Sequence, residues 1–316
     1  MIQNKQIQTI RKLEPYVRNT ILPKYVKATW QPNQLLPNVY DEIKPIVVQE
    51  MAKNVPDEVF ISLVGNAITE ECLPSYVGLI NRMISYEDHK DAWANWIRIW
   101  SSEENKHGDV LNRYLYLSGR VNMNAFEKHT QELILKGFGS KLDEEPFLFF
   151  LYTSFQELAT KVAHMNVGKY AKTYGDTYLS NICTIIACDE SRHAFVYRSI
   201  VKQLLLLDPD GMMIAFAKIM RNGIEMPAGE MQLFSEYVNI TSVLEIYTVD
   251  DYIKICEYLC NFWNIEYINV STREAQEAKN FICAKHIRIL KRLKKSQNSK
   301  KTSIPSIDSF DWLQKI

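Results

Sequence analysis

The chain has 316 residues, of which 47% are hydrophobic, enough for one large domain or two modest ones. Lysine plus arginine and aspartate plus glutamate both total 37, so net charge gives no sign of binding to nucleic acid or to an anionic membrane. No apolar run approaches the roughly 18 residues of a membrane span, and the N-terminus lacks a signal-peptide core. The six cysteines show no Cys-x-x-Cys spacing, and we expect reduced thiols in a cytoplasmic protein.

The chain is predicted to be helical along most of its length. Alternating strand patterns bounded by Asn-Gly or Asp-Gly turns are hard to find, whereas long proline-free spans run from 75 to 145 and from 147 to 208. Asp57 and Asp176 are suitable helix-start residues. The predicted helices are 38–55, 57–84, 90–118, 124–137, 146–173, 176–206, 210–222 and 249–264.

We predict a single domain over residues 1–316. The segment 285–301 carries eight lysines and arginines and no acid, which favours a solvated helix end that continues into a basic linker around 294–304. The last stretch, IDSFDWLQKI, is more apolar again, and we expect it to dock onto the body of the domain.

Two Glu-x-x-His pairs, Glu104/His107 and Glu190/His193, are the most informative feature of the sequence. Positions i and i+3 of an α-helix lie on one face, so each pair can direct a carboxylate and an imidazole at one point. Both pairs interrupt apolar stripes at helical spacing. The stripes are Trp93, Trp96, Trp100, Glu104, His107, Leu111, Tyr114 and Leu179, Ile182, Ile186, Glu190, His193, Tyr197, Ile200.

Two further helices each place a single glutamate in a comparable stripe. These stripes are Phe60, Leu63, Ala67, Glu70, Val77 and Phe150, Thr153, Glu157, Thr160. A carboxylate on a buried face costs several kcal/mol unless it is paired, protonated or bound to metal. Two shared cations would offset the cost of all four carboxylates at once, and such a ligand set suits iron or manganese.

The sequence therefore predicts an all-α protein with a ferritin-like four-helix bundle core, additional helices, and a dinuclear metal site inside the bundle. A single Glu-x-x-His pair would more often be a surface accident, and buried arginine–glutamate pairs are another alternative. Lys106 and Arg192 lie between the paired residues, however, and their positions point them around the helix and away from the metal face.

Several segments resemble the soluble acyl-carrier-protein (ACP) desaturases of plant plastids and bacteria, in the family's order. They are LVGNAITEECLPSY, WIRIWSSEENKHGDVLNRYLYLSGRV, FLYTSFQELAT, ACDESRHAFVY and DPDGMMIAFAKIMRNGIEMP. The likeness runs from KATWQP near residue 30 to the terminal DSFDW. It implies an O2-dependent enzyme that inserts a cis double bond into a saturated acyl chain on ACP, with a small ferredoxin as electron donor and a homodimeric assembly.

The resemblance also assigns roles to individual residues. The two iron ions would be held by Glu70, Glu104, His107, Glu157, Glu190 and His193, with Glu70 and Glu104 matching the ligand positions rather than their neighbours Glu71 and Glu103. Thr160 matches a hydroxyl beside the oxygen-binding cavity. Trp30 and Asp189 match a proposed electron path through His107, although Trp30 could be a plain core aromatic and Asp189 a hydrogen-bond partner of that histidine.

The substrate and carrier contacts follow from the same resemblance. The family pocket is lined by residues that match Leu79, Arg82, Met83, Leu142, Phe149, Phe150 and Phe234. Arg82 and Phe149 are bulkier than the residues usual there, so we expect an acyl chain shorter than stearoyl, of about 16 carbons or fewer, or a shifted double bond. The acidic ACP is expected to meet a basic patch that includes Lys24, Lys27, Arg288 and Lys291.

Three alternatives remain open at this stage. A related di-iron enzyme could hydroxylate or otherwise oxidise a carrier-bound chain. A ferritin-like iron-storage protein could use the same ligands, although its chains are much shorter. A ribonucleotide reductase subunit is disfavoured by the motif context around the ligands. The expected location is the cytoplasm of a bacterium.

Overall fold

The computed structural model describes residues 2–25, 30–37, 44–83, 91–137, 142, 145–224, 226–286, 288, 291–292 and 307–314. Lys27, the whole of the predicted linker at 294–304 and the start of the predicted helix 38–55 lie outside these ranges. Within them the protein is helical, which confirms the all-α prediction, and the only β pairing is an isolated antiparallel bridge between Val121 and Leu313.

The bounds of fourteen α-helices are defined in the described part of the chain, together with short 3-10 and π-helical turns. The helices are α1 (Ile2–Arg11), α2 (Glu14–Tyr16), α3 (Pro32–Leu35), α4 (Lys44–Lys53), α5 (Asp57–Glu71), α6 (Leu73–Met83), α7 (Ala92–Ser118), α8 (Met123–Lys136), α9 (Pro146–Thr173), α10 (Thr177–Leu207), α11 (Pro209–Asn222), α12 (Phe234–Val243), α13 (Val249–Phe262) and α14 (Arg273–Asn280). None of them is both long enough and apolar enough to cross a lipid bilayer.

Four of these helices form a closed central bundle. Helix α5 packs against α7 and α9, and α10 packs against the same two helices, so each member has two neighbours in the ring. The most extensive of these contacts joins α9 and α10. This arrangement is the four-helix core that the sequence predicted, and the remaining helices pack around it.

Local sequence signals set the limits of the long helices. The Asp91 carboxylate accepts a hydrogen bond from the Trp93 amide at 2.8 Å, and Asp176 does the same for Leu179 at 2.8 Å, which caps the starts of α7 and α10. Helix α7 ends at Ser118, and the next residue, Gly119, has a φ of 67°, the left-handed conformation that glycine adopts at low cost.

The predicted helix 57–84 is wrong in one respect, because it is two helices. Helix α5 ends at Glu71 and α6 begins at Leu73, with Cys72 between them. Pro74 explains the break, since its ring lacks an amide proton and clashes with the carbonyl one turn earlier. The interruption lies directly after Glu70.

The C-terminal stretch docks onto the bundle, as predicted. Phe310 and Trp312 are 3% and 4% exposed. The Asn122 amide donates to the Trp312 carbonyl at 2.7 Å, and the Gln314 amide donates to the Arg120 carbonyl at 2.9 Å. These contacts fix the tail against the loop that follows α7.

Arg120 fixes the entry of α5 into the bundle. Its guanidinium donates to the carbonyls of Ala52 and Val55 at the end of α4, pairs with the Asp57 carboxylate at the start of α5, and lies 4.4 Å from the centre of the Phe60 ring. The residue is only 4% exposed, so nothing but these partners replaces its lost hydration.

We expect Arg120→Ala to lower the free energy of unfolding by about 3–5 kcal/mol, because it leaves buried carbonyls and a carboxylate without their partner. Chemical denaturation followed by circular dichroism measures this loss. The control is Arg113→Ala, which removes an exposed pair with Asp109 and should cost about 1 kcal/mol or less. Equal losses in the two variants would contradict this role for Arg120.

Candidate metal centre

Six carboxylate and imidazole side chains of the central helices meet in the middle of the bundle. None is more than 7% exposed. They come from all four helices of the ring, in the positions that the apolar stripes indicated. The residues are Glu70 on α5, Glu104 and His107 on α7, Glu157 on α9, and Glu190 and His193 on α10.

These six side chains form two overlapping groups, each with three carboxylates and one imidazole. Within a group, one ligand atom from every member lies within 4.8 Å of those of the others. The groups are Glu70, Glu104, His107, Glu190 and Glu104, Glu157, Glu190, His193. Glu104 and Glu190 belong to both groups, and each group has the side chains to bind a metal ion.

The imidazole atoms that face the centre fit metal ligation. His107 Nδ1 lies 3.1 Å from Glu190 Oε1 and 3.3 Å from Glu104 Oε2, and His193 Nδ1 lies 2.6 Å from Glu104 Oε1. Even so, both Nδ1 atoms and Glu190 Oε1 are buried without a hydrogen bond of acceptable geometry. Buried polar atoms are rarely left in this state, and a cation in each of the two groups would satisfy all three.

The far side of the His107 ring is held by Asp189. His107 Nε2 lies 3.4 Å from Asp189 Oδ2, and the same oxygen accepts a hydrogen bond from Trp30 Nε1 at 2.9 Å. A carboxylate only accepts hydrogen bonds, so Asp189 places the imidazole proton on Nε2 and leaves Nδ1 for a metal. Trp30 stacks on the His107 ring at 2°, and the Lys106 ammonium lies 4.8 Å from the Trp30 ring centre.

The far side of the His193 ring is held in the same way by Glu103. His193 Nε2 lies 3.0 Å from Glu103 Oε2, and Glu103 is only 3% exposed. Sequence reasoning considered Glu103 only as the neighbour of the candidate ligand Glu104 and missed this role. Adjacent acids on a helix point in directions about 100° apart, so one can face the centre while the other faces a neighbouring helix.

A third histidine, which sequence reasoning missed, holds the outer carboxylate of the first group. His164 Nε2 lies 3.0 Å from Glu70 Oε1, and the ring is fully buried. The signal was present in the sequence, because His164 lies one turn beyond Thr160 and extends the stripe that carries Glu157.

Thr160 lies at the edge of the centre. Its hydroxyl can donate to Glu190 Oε2 at 3.2 Å or to the Gln156 carbonyl at 3.1 Å. It lines a cavity of about 20 Å³ directly beside the six side chains. The other residues around this cavity include Leu73, Tyr76 and Trp100. The cavity is therefore lined both by polar candidate ligands and by large apolar or aromatic side chains.

The buried carboxylates and imidazoles of the centre shift one another's pKa values. Burial lowers the pKa values of His107 and His193, but hydrogen bonds and charges from the surrounding carboxylates outweigh it, so both pKa values lie well above the ordinary histidine range. For Glu104 burial acts in the opposite direction and raises the pKa. The charges and hydrogen bonds of the two histidines outweigh burial, and the pKa of Glu104 lies below its ordinary value. The pKa of Glu157 is raised well above normal by burial and by the charge of Glu190.

The predicted substrate residues do not all come together. Leu79, Phe149 and Phe150 are at most 1% exposed and belong to one apolar cluster, which also contains Leu142. Phe234, by contrast, is 41% exposed and stacks on Tyr237. The side chains of Arg82 and Met83 lie outside the described residues.

The predicted carrier-binding residues lie on the surface where they are described. Lys24 is exposed, with its ammonium 5.9 Å from the Phe195 ring centre, and Arg288 is exposed as well. Lys291 pairs with Glu257 at 2.9 Å, which reduces the net positive charge at that point. Lys27 is outside the described residues.

Comparison with known proteins gives a consistent result. A family model described as fatty acid desaturase matches residues 5–314. The chain is 39% identical to stearoyl-[acyl-carrier-protein] 9-desaturase 2, chloroplastic, of Oryza sativa subsp. indica, over 98% of this chain and 81% of that protein. It is also 39% identical to palmitoyl-[acyl-carrier-protein] 4-desaturase, chloroplastic, of Coriandrum sativum, over 97% and 83%.

A solved structure, the putative acyl-ACP desaturase DesA2 from Mycobacterium tuberculosis, matches with a TM-score of 0.56. The match covers 86% of this chain and 99% of that chain at 16% sequence identity. At this identity the match supports the fold and nothing more specific.

We expect the number of metal ions bound to depend on whether the substituted ligand belongs to one group or to both. Glu157→Ala removes a ligand from one group and should reduce tight cobalt(II) uptake from about two equivalents to about one. Glu190→Ala removes a ligand from both groups and should weaken both. Calorimetric titration of the metal-free variants checks this, and identical stoichiometries would contradict the shared position of Glu190.

The raised histidine pKa values predict how the stability of the metal-free protein depends on pH. Each histidine stabilises the fold below its unfolded pKa of about 6.5, and this contribution is lost as the pH rises through the higher folded pKa. Thermal unfolding from about pH 6 upward should therefore show a falling melting temperature. The slope should be shallower in His107→Gln/His193→Gln, and a melting temperature that rises with pH in the parent protein would contradict the assignment.

Proposed function

The chain belongs to the fatty acid desaturase family, and we propose that it introduces a cis double bond into a saturated acyl chain carried on ACP, using O2 and electrons from a reduced ferredoxin. In this reaction the acyl chain loses two hydrogens, and O2 takes up these and two further electrons and protons to give two waters. The observation that carries the proposal is the pair of Glu/His groups that share Glu104 and Glu190.

The proposed cofactor is a pair of iron ions. Glu70 and His107 would hold one ion and Glu157 and His193 the other, and Glu104 and Glu190 would contribute to both positions because they belong to both groups. When bound, the irons would supply the O2-derived oxidising power needed to break an unactivated C–H bond, which no side-chain acid or base can provide.

The surrounding residues would position the reactants. Thr160 lines the cavity beside the ligands and can offer a hydroxyl proton there. Leu73, Tyr76 and Trp100 form the apolar part of the wall of this small cavity, and they would lie next to the reacting carbons and help to exclude water there. Trp30 is half-buried, stacks on the His107 ring and donates a hydrogen bond to Asp189. These two residues would therefore form the route for electrons from ferredoxin to the centre.

We further propose that the whole chain, 1–316, is one domain, that it works as a homodimer, and that it functions in a bacterial cytoplasm. The curated relatives named above are chloroplastic proteins. No feature of the described residues favours hydroxylation, iron storage or radical generation for ribonucleotide reduction over desaturation.

The test is incubation of the iron-loaded protein with reduced ferredoxin, O2 and a series of saturated acyl-ACPs, with mass spectrometry of the products. We expect a product two hydrogens lighter than the substrate. A product heavier by one oxygen would instead identify a hydroxylase, and O2 consumption with no change in any acyl chain would contradict both.

The packing around Phe149 predicts the preferred chain length. Phe149 is fully buried and meets Phe150 and Tyr197 edge to face, so it occupies volume that a longer acyl chain would need. We expect the parent enzyme to prefer chains of about 16 carbons or fewer, and Phe149→Ala to shift the ratio of kcat/KM values towards stearoyl-ACP by about tenfold or more. Phe155→Ala, which removes a buried phenylalanine of the same helix that packs on Phe216 and Tyr252, is the control.

The basic residues Arg288 and Lys291 predict that the association with ACP depends on salt concentration. Arg288→Glu together with Lys291→Glu should raise KM for acyl-ACP and weaken its dependence on ionic strength, with kcat little changed, because exposed charges act mainly on association. Steady-state kinetics between low and moderate salt measure this effect. A parent enzyme indifferent to salt would contradict this docking surface.

A further inference from the structure

A single guanidinium group joins the two carboxylates that hold the candidate ligand histidines. Arg192 Nη2 lies 2.9 Å from Glu103 Oε2 and 2.9 Å from Asp189 Oδ1. Glu103 Oε2 is the atom that meets His193 Nε2, and Asp189 meets His107 through its other oxygen. Arg192 therefore contacts both imidazoles indirectly, through one carboxylate each.

The surroundings make this contact more than a surface ion pair. Glu103 and Asp189 are 3% and 6% exposed, so each depends on its partners to remain charged. The Tyr25 ring lies 5.8 Å from the guanidinium, and the Arg192 side chain is 25% exposed.

The contact also spans two helices. Glu103 belongs to α7, whereas Asp189 and Arg192 belong to α10, so the guanidinium ties the outer faces of the two helices that carry the Glu-x-x-His pairs. A hydrogen-bonded carboxylate fixes the orientation and tautomer of a metal-ligating imidazole. A cation that fixes two such carboxylates acts on both imidazoles at once.

We propose that Arg192 is a positioning residue that orients both ligand histidines and thereby couples the two metal positions. The inference rests on the two-ion centre of the proposed function. It differs from the roles of Glu103 and Asp189, each of which acts on one histidine. Loss of Arg192 should therefore disturb both ions, whereas loss of either carboxylate should disturb mainly one.

The test compares Arg192→Gln, Glu103→Gln and Asp189→Asn with the parent protein, using cobalt(II) titration of the metal-free forms and Mössbauer spectroscopy of the iron-loaded forms. Arg192→Gln should weaken both metal positions by about 10- to 100-fold and shift the spectra of both irons. Glu103→Gln should act mainly on the ion at His193, and Asp189→Asn mainly on the ion at His107. The spectra report the ligand field directly, which a general loss of stability would not shift.

Two further variants keep the test decisive. Arg198→Gln removes a guanidinium of the same helix that lies over Phe262 instead, and it should leave both positions unchanged. Arg192→Lys retains the charge without the planar fork and should shift both spectra by a smaller amount if Arg192→Gln does not fold. Parent-like affinities and spectra in the Arg192 variants, or a change at one ion only, would overturn the inference. Failure of the parent protein to hold two ions would instead contradict the proposed function.

Discussion

Four carboxylates buried in the core of one helical bundle are the constraint on which the rest of the structure depends. Each would cost several kcal/mol if left without a partner, and their mutual repulsion adds to that cost. Two histidines offset part of it in the metal-free protein, as the raised pKa values of both imidazoles show. Two divalent cations would offset it more fully, because the same oxygens that repel one another can then share a positive charge.

The need to hold these groups explains how the surrounding layers are built. Several candidate ligands are hydrogen-bonded on their outer side by a residue of another helix. His164 holds Glu70 in this way, and Asp189 holds His107. The long helices supply rigid positions for both members of such a pair. Beyond this polar layer the packing becomes aromatic, with Trp96, Trp100 and Tyr197 in mutual contact.

This layering gives the centre two distinct sides. On one side, the half-buried Trp30 lies next to His107, and the Lys106 ammonium lies over the Trp30 ring. On the other, the small cavity beside Thr160 meets an apolar wall. In the proposed function, electrons would arrive through Trp30, whereas the acyl carbons would react beside the cavity at Thr160, away from water.

The sequence was sufficient to predict the bundle and the convergence of the six central side chains, because helical spacing alone places charged residues in apolar stripes. It was insufficient where the outcome depends on neighbouring helices. Glu103 and Arg192 meet their partners across the α7–α10 contact, which no single helix pattern reveals. The break at Cys72 was missed although Pro74 signalled it, since the apolar pattern of the two helices continues across it.

The most direct test of the account is the anomalous scattering of a crystal of the iron-loaded protein, measured on either side of the iron absorption edge. The account predicts two peaks inside the bundle, one between Glu70 and His107 and the other between Glu157 and His193, with Glu104 and Glu190 contacting both. A single peak, or iron bound only at the protein surface, would contradict it.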